Sequence, residues 1–271
     1  MRPIAALVLA GGALERDRFP YASLAIAGKA QLPLLGRPLV EWTVAALRAC
    51  PRIERIVVVG PESLATPTLA ALDAAVCPEG GDIAANLWAG LWELREADRL
   101  LVLSGDLPLL TPGALDDLFT QAPVADVVFP YVEEVDILAA FPERSWVFAH
   151  TPDGAFTGSS TLLCRPQALL AQFHWAETLL DARRQSPFRL AALFGPALAL
   201  RYACRRLRVA DVERRFSQLL HLSARGYRSP FPELALDVDK AADVALVEKA
   251  LGGWALGVGP QALGLGRVLT G

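Results

Sequence analysis

Lysine, histidine, cysteine and methionine are all scarce in this sequence. Of its 26 basic residues only three are lysines (Lys29, Lys240 and Lys249), beside three histidines, four cysteines and one methionine. Cys50, Cys77, Cys164 and Cys204 form no CxxC pair, and His150, His174 and His221 form no HxxH or HxxxH, which argues against a zinc site and a disulfide scaffold. The cysteines lie in apolar surroundings, as buried thiols of a cytoplasmic protein would. Long apolar runs are missing too. The run "LAALFGPALAL", Leu190 to Leu200, falls short of the ~18 residues of a membrane span and is broken by Gly195 and Pro196. The opening "MRPIAALVLAGG" has too short an apolar run and no small-x-small cleavage site for a signal peptide. Neither GxGxxG nor GxxxxGK[ST] occurs, so the dinucleotide fingerprint and the P-loop are both excluded. With 26 basic against 29 acidic residues and no long like-charge run, the chain carries no electrostatic footprint for nucleic acid.

What is present is ample material for a core. The 271 residues are 53% apolar and 20% charged, and no linker divides them. We expect one domain over residues 1–252 and a Gly-rich tail over 253–271. Continuous apolar runs at 4–10, 55–60, 99–106 and 126–131 read as strands covered on both faces. Helical patterns lie between them: "PLVEWTVAALRAC" with Pro38 in its first turn, "GDIAANLWAGLWELREA" capped by Asp82, and "TPGALDDLFTQ" capped by Thr111. This rhythm predicts an α/β fold, doubly wound, with a mostly parallel mixed sheet in a Rossmann-like three-layer α/β/α arrangement. An antiparallel excursion follows, turning at Pro152-Asp153-Gly154, then a mostly helical stretch from Pro166 to about Leu222. Finally "ELALDVDKAADVALVEKAL" reads as a strand running into a helix.

In such a sheet, ligands bind beyond the carboxyl ends of the strands. Three groups of polar residues fall there. Gly11-Gly12 ends the first strand and can present backbone N–H groups to a phosphate or base; a tight strand exit explains the pair equally well. After sixteen intervening residues comes Lys29, a compact mobile charge suited to polyphosphate in a chain that otherwise uses arginine. Arg16 and Arg18, in the same loop, are open between function and solvated surface. Asp106 closes "LLVLSGDLPLL", a carboxylate held rigidly at a strand end and suited to Mg²⁺. Asp237 and Asp239 alternate in "LDVDKAAD" and so face one side; one of them could complete the metal site, while Asp239 could also cap the next helix.

Taken in order, "LVLAGG...GKAQLPLLGRPLVEW", "LVLSGDLPLL", "FTGSSTLLCRP" and "LDVDKAAD" resemble the successive motifs of nucleotidyltransferases of the molybdenum cofactor guanylyltransferase-like (MobA-like NTP transferase) superfamily, over roughly residues 4–250. That superfamily includes sugar-phosphate nucleotidylyltransferases. The resemblance implies nucleotide contacts at Ala10, Gly11 and Gly12, neutralisation of the triphosphate by Lys29, and Mg²⁺ on Asp106 and Asp237, with Lys29 and Asp106 catalytic. It implies base recognition in "PEGGDIAANLWAGL", with Gly81 and Asn86 as candidates. It also implies an acceptor strand in "FTGSS", with Thr157, Gly158 and Ser159, and with Arg165 either facing an anionic acceptor or merely exposed. Two departures stand out. The first loop lacks the family's Gly-x-Ser/Thr-Arg-Met/Leu, and "TGSS" lacks the asparagine often found in the acceptor motif.

The reading is therefore a cytoplasmic Mg²⁺-dependent nucleotidyltransferase acting on a nucleoside triphosphate and a phosphorylated small-molecule acceptor, with neither nucleic acid nor membrane as partner; the sequence leaves room for a homodimer. Phosphoryl chemistry of this kind asks for alignment and charge neutralisation, and no protein nucleophile. Two alternatives stand beside it. A glycosyltransferase of related fold would want Asp-x-Asp where "SGDLP" has one aspartate. A nucleotide-binding homologue without turnover would accommodate the altered first loop.

Overall fold

A computed structural model describes residues 4–185 and 192–255. Its centre is a nine-stranded, mostly parallel mixed sheet flanked by helices. β1 (Ile4–Leu9) lies between β4 (Ile53–Gly60) and β6 (Arg99–Ser104), parallel to both, and β5 (Ala74–Pro78), reached through the short helix α2 (Pro67–Ala71), extends the sheet beyond β4. Strand order thus reverses at β1, which leaves a crevice outside its carboxyl end. The continuous apolarity of these strands follows from their double cover. Ala6, Val8, Ile56, Val58 and Leu101 pack under α1 (Leu39–Arg48) and α4 (Pro112–Gln121), while Ala5, Leu7, Val57, Val59 and Leu100 pack under α3 (Ile83–Glu93). Asp82 and Thr111 cap α3 and α4 as their sequences predict, accepting from the amides of Ala85 and Ala114.

Beyond β6 the parallel plan is interrupted. The chain forms β7 (Val127–Glu133) and α5 (Glu134–Ala140), then the hairpin of β8 (Ala149–Thr151) and β9 (Gly154–Gly158), then β10 (Thr161–Cys164). β10 inserts antiparallel between β6 and β7, setting Thr161 beside Leu103 and Cys164 beside Leu100. Its first residue therefore sits at the ligand-binding end of β6, and its last at the opposite edge. The helical stretch is α6 (Pro166–Ala171), α7 (Phe173–Gln185), α8 (Pro196–Ala203) and α9 (Val209–Leu220).

The strand expected in "ELALDVD" is absent. Pro232–Ala235 forms a 3-10 turn opened by Pro232, and residues 236–240 run on without a ladder. The strand of this region is instead β11 (Ala224–Ser229), "ARGYRS", parallel to β7. Its arginines conceal it from a search for apolar runs. Two short strands, β2 (Pro33–Leu34) and β3 (Arg37–Pro38), make a separate antiparallel pair. The last helix, α10 (Ala241–Ala255), continues three residues past the boundary expected at 252, and the remainder of the expected tail lies outside the described residues. Among the described residues no helix is long and apolar enough to cross a membrane.

Candidate active site

The sixteen residues between Gly12 and Lys29 fold back on themselves. Leu14 and Phe19 are buried in a cluster with Leu32, Leu34, Leu236, Val238 and Val247, so the loop is anchored by its own apolar side chains. The Leu14 amide donates to the Ala27 carbonyl at 2.8 Å, and the Gln31 side chain accepts from the amides of Ala27 and Gly28 at 3.0 and 3.1 Å. Arg16 ties the loop internally, donating to the carbonyls of Ser23, Leu24 and Ile26, and Arg18 pairs at the surface with Glu15. Both arginines are thus occupied within or beside the loop. Its two ends meet: a Cβ on Gly28 would lie 3.0 Å from the Gly12 carbonyl oxygen. Closure delivers Lys29 to the mouth of β1.

There Lys29 Nζ forms ion pairs with Asp106 and with Asp239 Oδ1, the latter at 2.9 Å. Asp106 follows β6 directly, and Gly105 extends that strand by donating to the Leu9 carbonyl. Asp106 is only 2% exposed, and both its carboxylate oxygens are left without a hydrogen-bond donor of good geometry among the described residues. Burial pushes its carboxyl above the usual range, Lys29 draws it back, and Asp237 adds to the rise. Burial works to lower the Lys29 ammonium, but the Asp106 and Asp239 carboxylates outweigh it and lift it above the ordinary lysine value, so the side chain is a permanent cation. For Asp239 burial works upward and the cations prevail, Lys29 foremost, holding its carboxyl low.

The segment 236–240 reaches Asp106 by a backbone bond, Val238 N–H to the Asp106 carbonyl at 3.1 Å. With Leu236 and Val238 fully buried, Asp237 and Asp239 emerge on the other side, so the alternation expected of a strand is kept without one. The helix-capping duty anticipated for Asp239 falls to Asp243, whose Oδ2 accepts from the amides of Asp239 and Lys240. Arg144, between α5 and β8, pairs with Asp237, Asp239 and Asp243 at 3.2, 3.7 and 3.2 Å and lies over the Trp146 ring at 4.4 Å. Asp237 also accepts from Ser160 Oγ at 2.9 Å.

On the other flank, the Ala10 amide donates to the Val59 carbonyl, and the Gly12 amide donates to Glu79 Oε2 at 2.8 Å. Asn86, buried at the start of α3, accepts from the Gly80 amide, and its Nδ2 lies 2.5 Å from where a Gly11 Cβ would be. Gly81 sits in the exposed turn just before α3.

The fold therefore brings together Ala10, Gly11, Gly12, Lys29, Asn86, Asp106 and Asp237. Thr157 and Gly158 pair with Val132 and Tyr131 in the β7–β9 ladder, and Ser159 turns back to Thr161 Oγ1 at 2.8 Å, leaving Ser160 as the hydroxyl that reaches the carboxylates. Arg165 is not part of this constellation. It follows the far end of β10, roughly 13 Å of strand away at ~3.4 Å per residue, and pairs there with Asp126 at 3.6 Å. The antiparallel direction of β10 is the reason. Arg144, Glu79 and Ser160 are the site residues that the sequence reading omits. For Ser160 the signal existed, in "FTGSS"; Arg144 has none, one arginine among many.

An open sheet with its crevice at β1, a glycine exit that exposes amides, and a half-buried lysine paired with a buried aspartate beside it define an α/β protein built to hold a phosphorylated nucleotide. The chain belongs to the MobA-like NTP transferase domain family, which matches it over residues 6–185. It is a nucleotidyltransferase. A solved structure described as a hypothetical transferase from Thermus thermophilus is similar at 32% identity and a TM-score of 0.79, covering 90% of this chain and 100% of that one. Two others share the fold at lower identity. A nucleotidyl transferase from Methanothermobacter thermautotroptrophicus is 17% identical, with a TM-score of 0.55 over 91% of this chain and 96% of that one. The 2-C-methyl-D-erythritol 4-phosphate cytidylyltransferase from Thermus thermophilus is 16% identical, with a TM-score of 0.54 over 93% of this chain and all of that one. No curated protein sequence matches this chain.

Proposed function

We propose that this protein moves a nucleoside monophosphate group from a nucleoside triphosphate to a phosphorylated small molecule, with Mg²⁺ and with release of pyrophosphate. The observation that carries the reading is the half-buried Lys29 paired with the buried Asp106 at the carboxyl ends of β1 and β6. An oxygen of the acceptor phosphate attacks the α-phosphorus, and the bond to the bridging oxygen of pyrophosphate breaks. Lys29 neutralises the triphosphate and the charge that gathers on the leaving group, and the Gly11–Gly12 turn supplies amides where phosphate oxygens would lie. The amide of Gly12 becomes available when Glu79 swings away, as an exposed side chain can.

Asp106 suits a cation: its buried carboxylate shares Lys29 with Asp239, which leaves negative charge for a metal ion to offset, and Mg²⁺ asks the protein for one or two carboxylates while water and phosphates complete its shell. Among the described residues no cluster of three or more candidate ligands has metal-holding geometry. Asp106 and Asp237 would hold the ion, which would supply positive charge to offset that of the phosphate oxygens. Ser160 orients Asp237. A phosphorylated acceptor is supported by the chemistry named for the cytidylyltransferase of like fold.

Protein incubated with Mg²⁺, each nucleoside triphosphate and a panel of sugar phosphates and other phosphorylated metabolites should release pyrophosphate. Asp106→Ala should lower that rate at least about a hundredfold, roughly 3 kcal/mol. Nucleotide binding with no release across the panel would overturn the proposed acceptor class and metal.

A further inference from the structure

The side chain of Arg144 is 9% exposed, yet its guanidinium faces three carboxylates, each from the stretch Asp237 to Asp243. Nε serves Asp243, which is 1% exposed and whose other oxygen already closes the start of α10. Nη2 reaches to the ligand side instead, donating to Asp237 Oδ1 at 3.2 Å and standing 3.7 Å from Asp239 Oδ2. Nη1 is buried with no acceptor among the described residues. A clamp that served only to hold α10 would need Nε alone, whereas the fork extends to the two aspartates exposed to the crevice. Counting formal charges, Asp106, Asp237, Asp239 and Asp243 face Lys29 and Arg144, so the connected network carries an excess of two negative charges, matched by one divalent cation.

We propose that Arg144 is a positioning residue: it fixes the carboxylate of Asp237 against Ser160 and limits the array to a single divalent cation by neutralising the rest. The inference rests on the Mg²⁺ reading above. Without Arg144 the excess becomes three, and four carboxylates left to Lys29 alone would draw a second ion or repel one another out of register.

Bound Mn²⁺ counted by electron paramagnetic resonance, with no nucleotide and no turnover, tests this directly. Wild type should bind one ion per chain. Arg144→Met should bind two, and its pyrophosphate release should fall but recover in part at about tenfold higher Mg²⁺, as the second ion stands in for the guanidinium. Arg144→Lys keeps the charge and loses the fork, so it should bind one ion about tenfold more weakly. Should either variant fail to fold, Asp239→Asn removes one excess charge with little change of shape and should weaken Mn²⁺ binding about tenfold. One ion in Arg144→Met with an activity loss indifferent to Mg²⁺ would reduce Arg144 to a structural clamp and overturn the proposal, as would a wild type that binds no Mn²⁺ or an Asp239→Asn that binds it unchanged. The stated Mn²⁺ counts in a wild type that releases no pyrophosphate would sustain Arg144's role and sink only the assigned reaction.

Discussion

A methyl group at Gly11 would meet Glu79 Oε2 at 2.4 Å and Asn86 Nδ2 at 2.5 Å, both too close for any real contact. The two neighbours respond differently. Glu79 is exposed and can swing aside, whereas Asn86 is buried and holds the Gly80 amide at 2.6 Å. Gly11→Ala should therefore push Asn86 and the turn before α3 away from the crevice while leaving the core intact. The expected outcome is a KM for the nucleoside triphosphate raised about tenfold, ~1.4 kcal/mol of binding, with Tm within a few degrees of wild type. A lower Tm with an unchanged KM would assign Gly11 to the fold alone. At this scale the sequence was legible where chemistry and rarity coincide. Lys29 stands out because lysine is scarce, and Asp106 because it lies just past a strand whose middle is continuously apolar. Arg144 was not legible, since its meaning lies in three aspartates about a hundred residues further along the chain. Arg165 misled for a related reason: a motif places a residue along a strand, but only the strand's direction decides which end of the sheet it reaches.

Among the elements, the junction of α4 with the 3-10 turn at Pro232–Ala235 carries a buried acid. Glu233 is 9% exposed, and its Oε1 accepts from Thr111 Oγ1 at 2.8 Å, the same hydroxyl that caps α4. Burial raises its carboxyl above the ordinary value of 4.5, with the Thr111 bond opposing the shift. The native state thus binds this proton more tightly than the unfolded chain does. The sign follows: ionisation of Glu233 costs stability progressively as pH rises from 4.5 through the raised native value, and the cost persists at neutral pH. Glu233→Gln keeps an oxygen for Thr111 and removes the charge. Thermal unfolding should show it stabilised at pH 7 by about 1 kcal/mol, a few degrees, with the gain fading as pH approaches 4.5. Elements of this molecule were readable when one signal dominated, as continuous apolarity did for β1, β4 and β6 and capping did for α3 and α4. β5, short and half covered, and β11, with arginines in its sequence, owe their pairing to partners already in place. The run "LALDVD" shows the converse, strand-like in pattern but opened by a proline turn and given no neighbour to pair with.

For the molecule as a whole, the site is assembled from segments that the sequence scatters: the β1 exit, the loop end at Lys29, the end of β6, Ser160 before β10, Arg144 after α5, and Asp237 and Asp239 before α10. No single element owns it, so whatever binds there ties the parallel half of the sheet to its antiparallel excursion. Binding to the native state alone stabilises by RT ln(1 + [L]/Kd), about 2.7 kcal/mol at a hundredfold excess over Kd. For a chain of this size each kcal/mol is worth roughly 2–4 °C, so nucleoside triphosphate with Mg²⁺ should raise Tm by about 5–10 °C. The two ligands should also be coupled. Triphosphate brings negative charge towards Asp106, Asp237 and Asp239, and without the metal ion Lys29 and Arg144 are left to offset that repulsion, each already shared among these carboxylates. Triphosphate alone should therefore shift Tm by less than half of the joint value, and Mg²⁺ alone by a degree or two. In Asp106→Asn the carboxylate that repels phosphate is gone along with the one that recruits Mg²⁺. Its shift with triphosphate alone should exceed that of wild type, and adding Mg²⁺ should contribute little more. Scanning calorimetry across the four conditions reads this coupling, and strictly additive shifts in wild type would mean that metal and nucleotide do not share a site at Asp106.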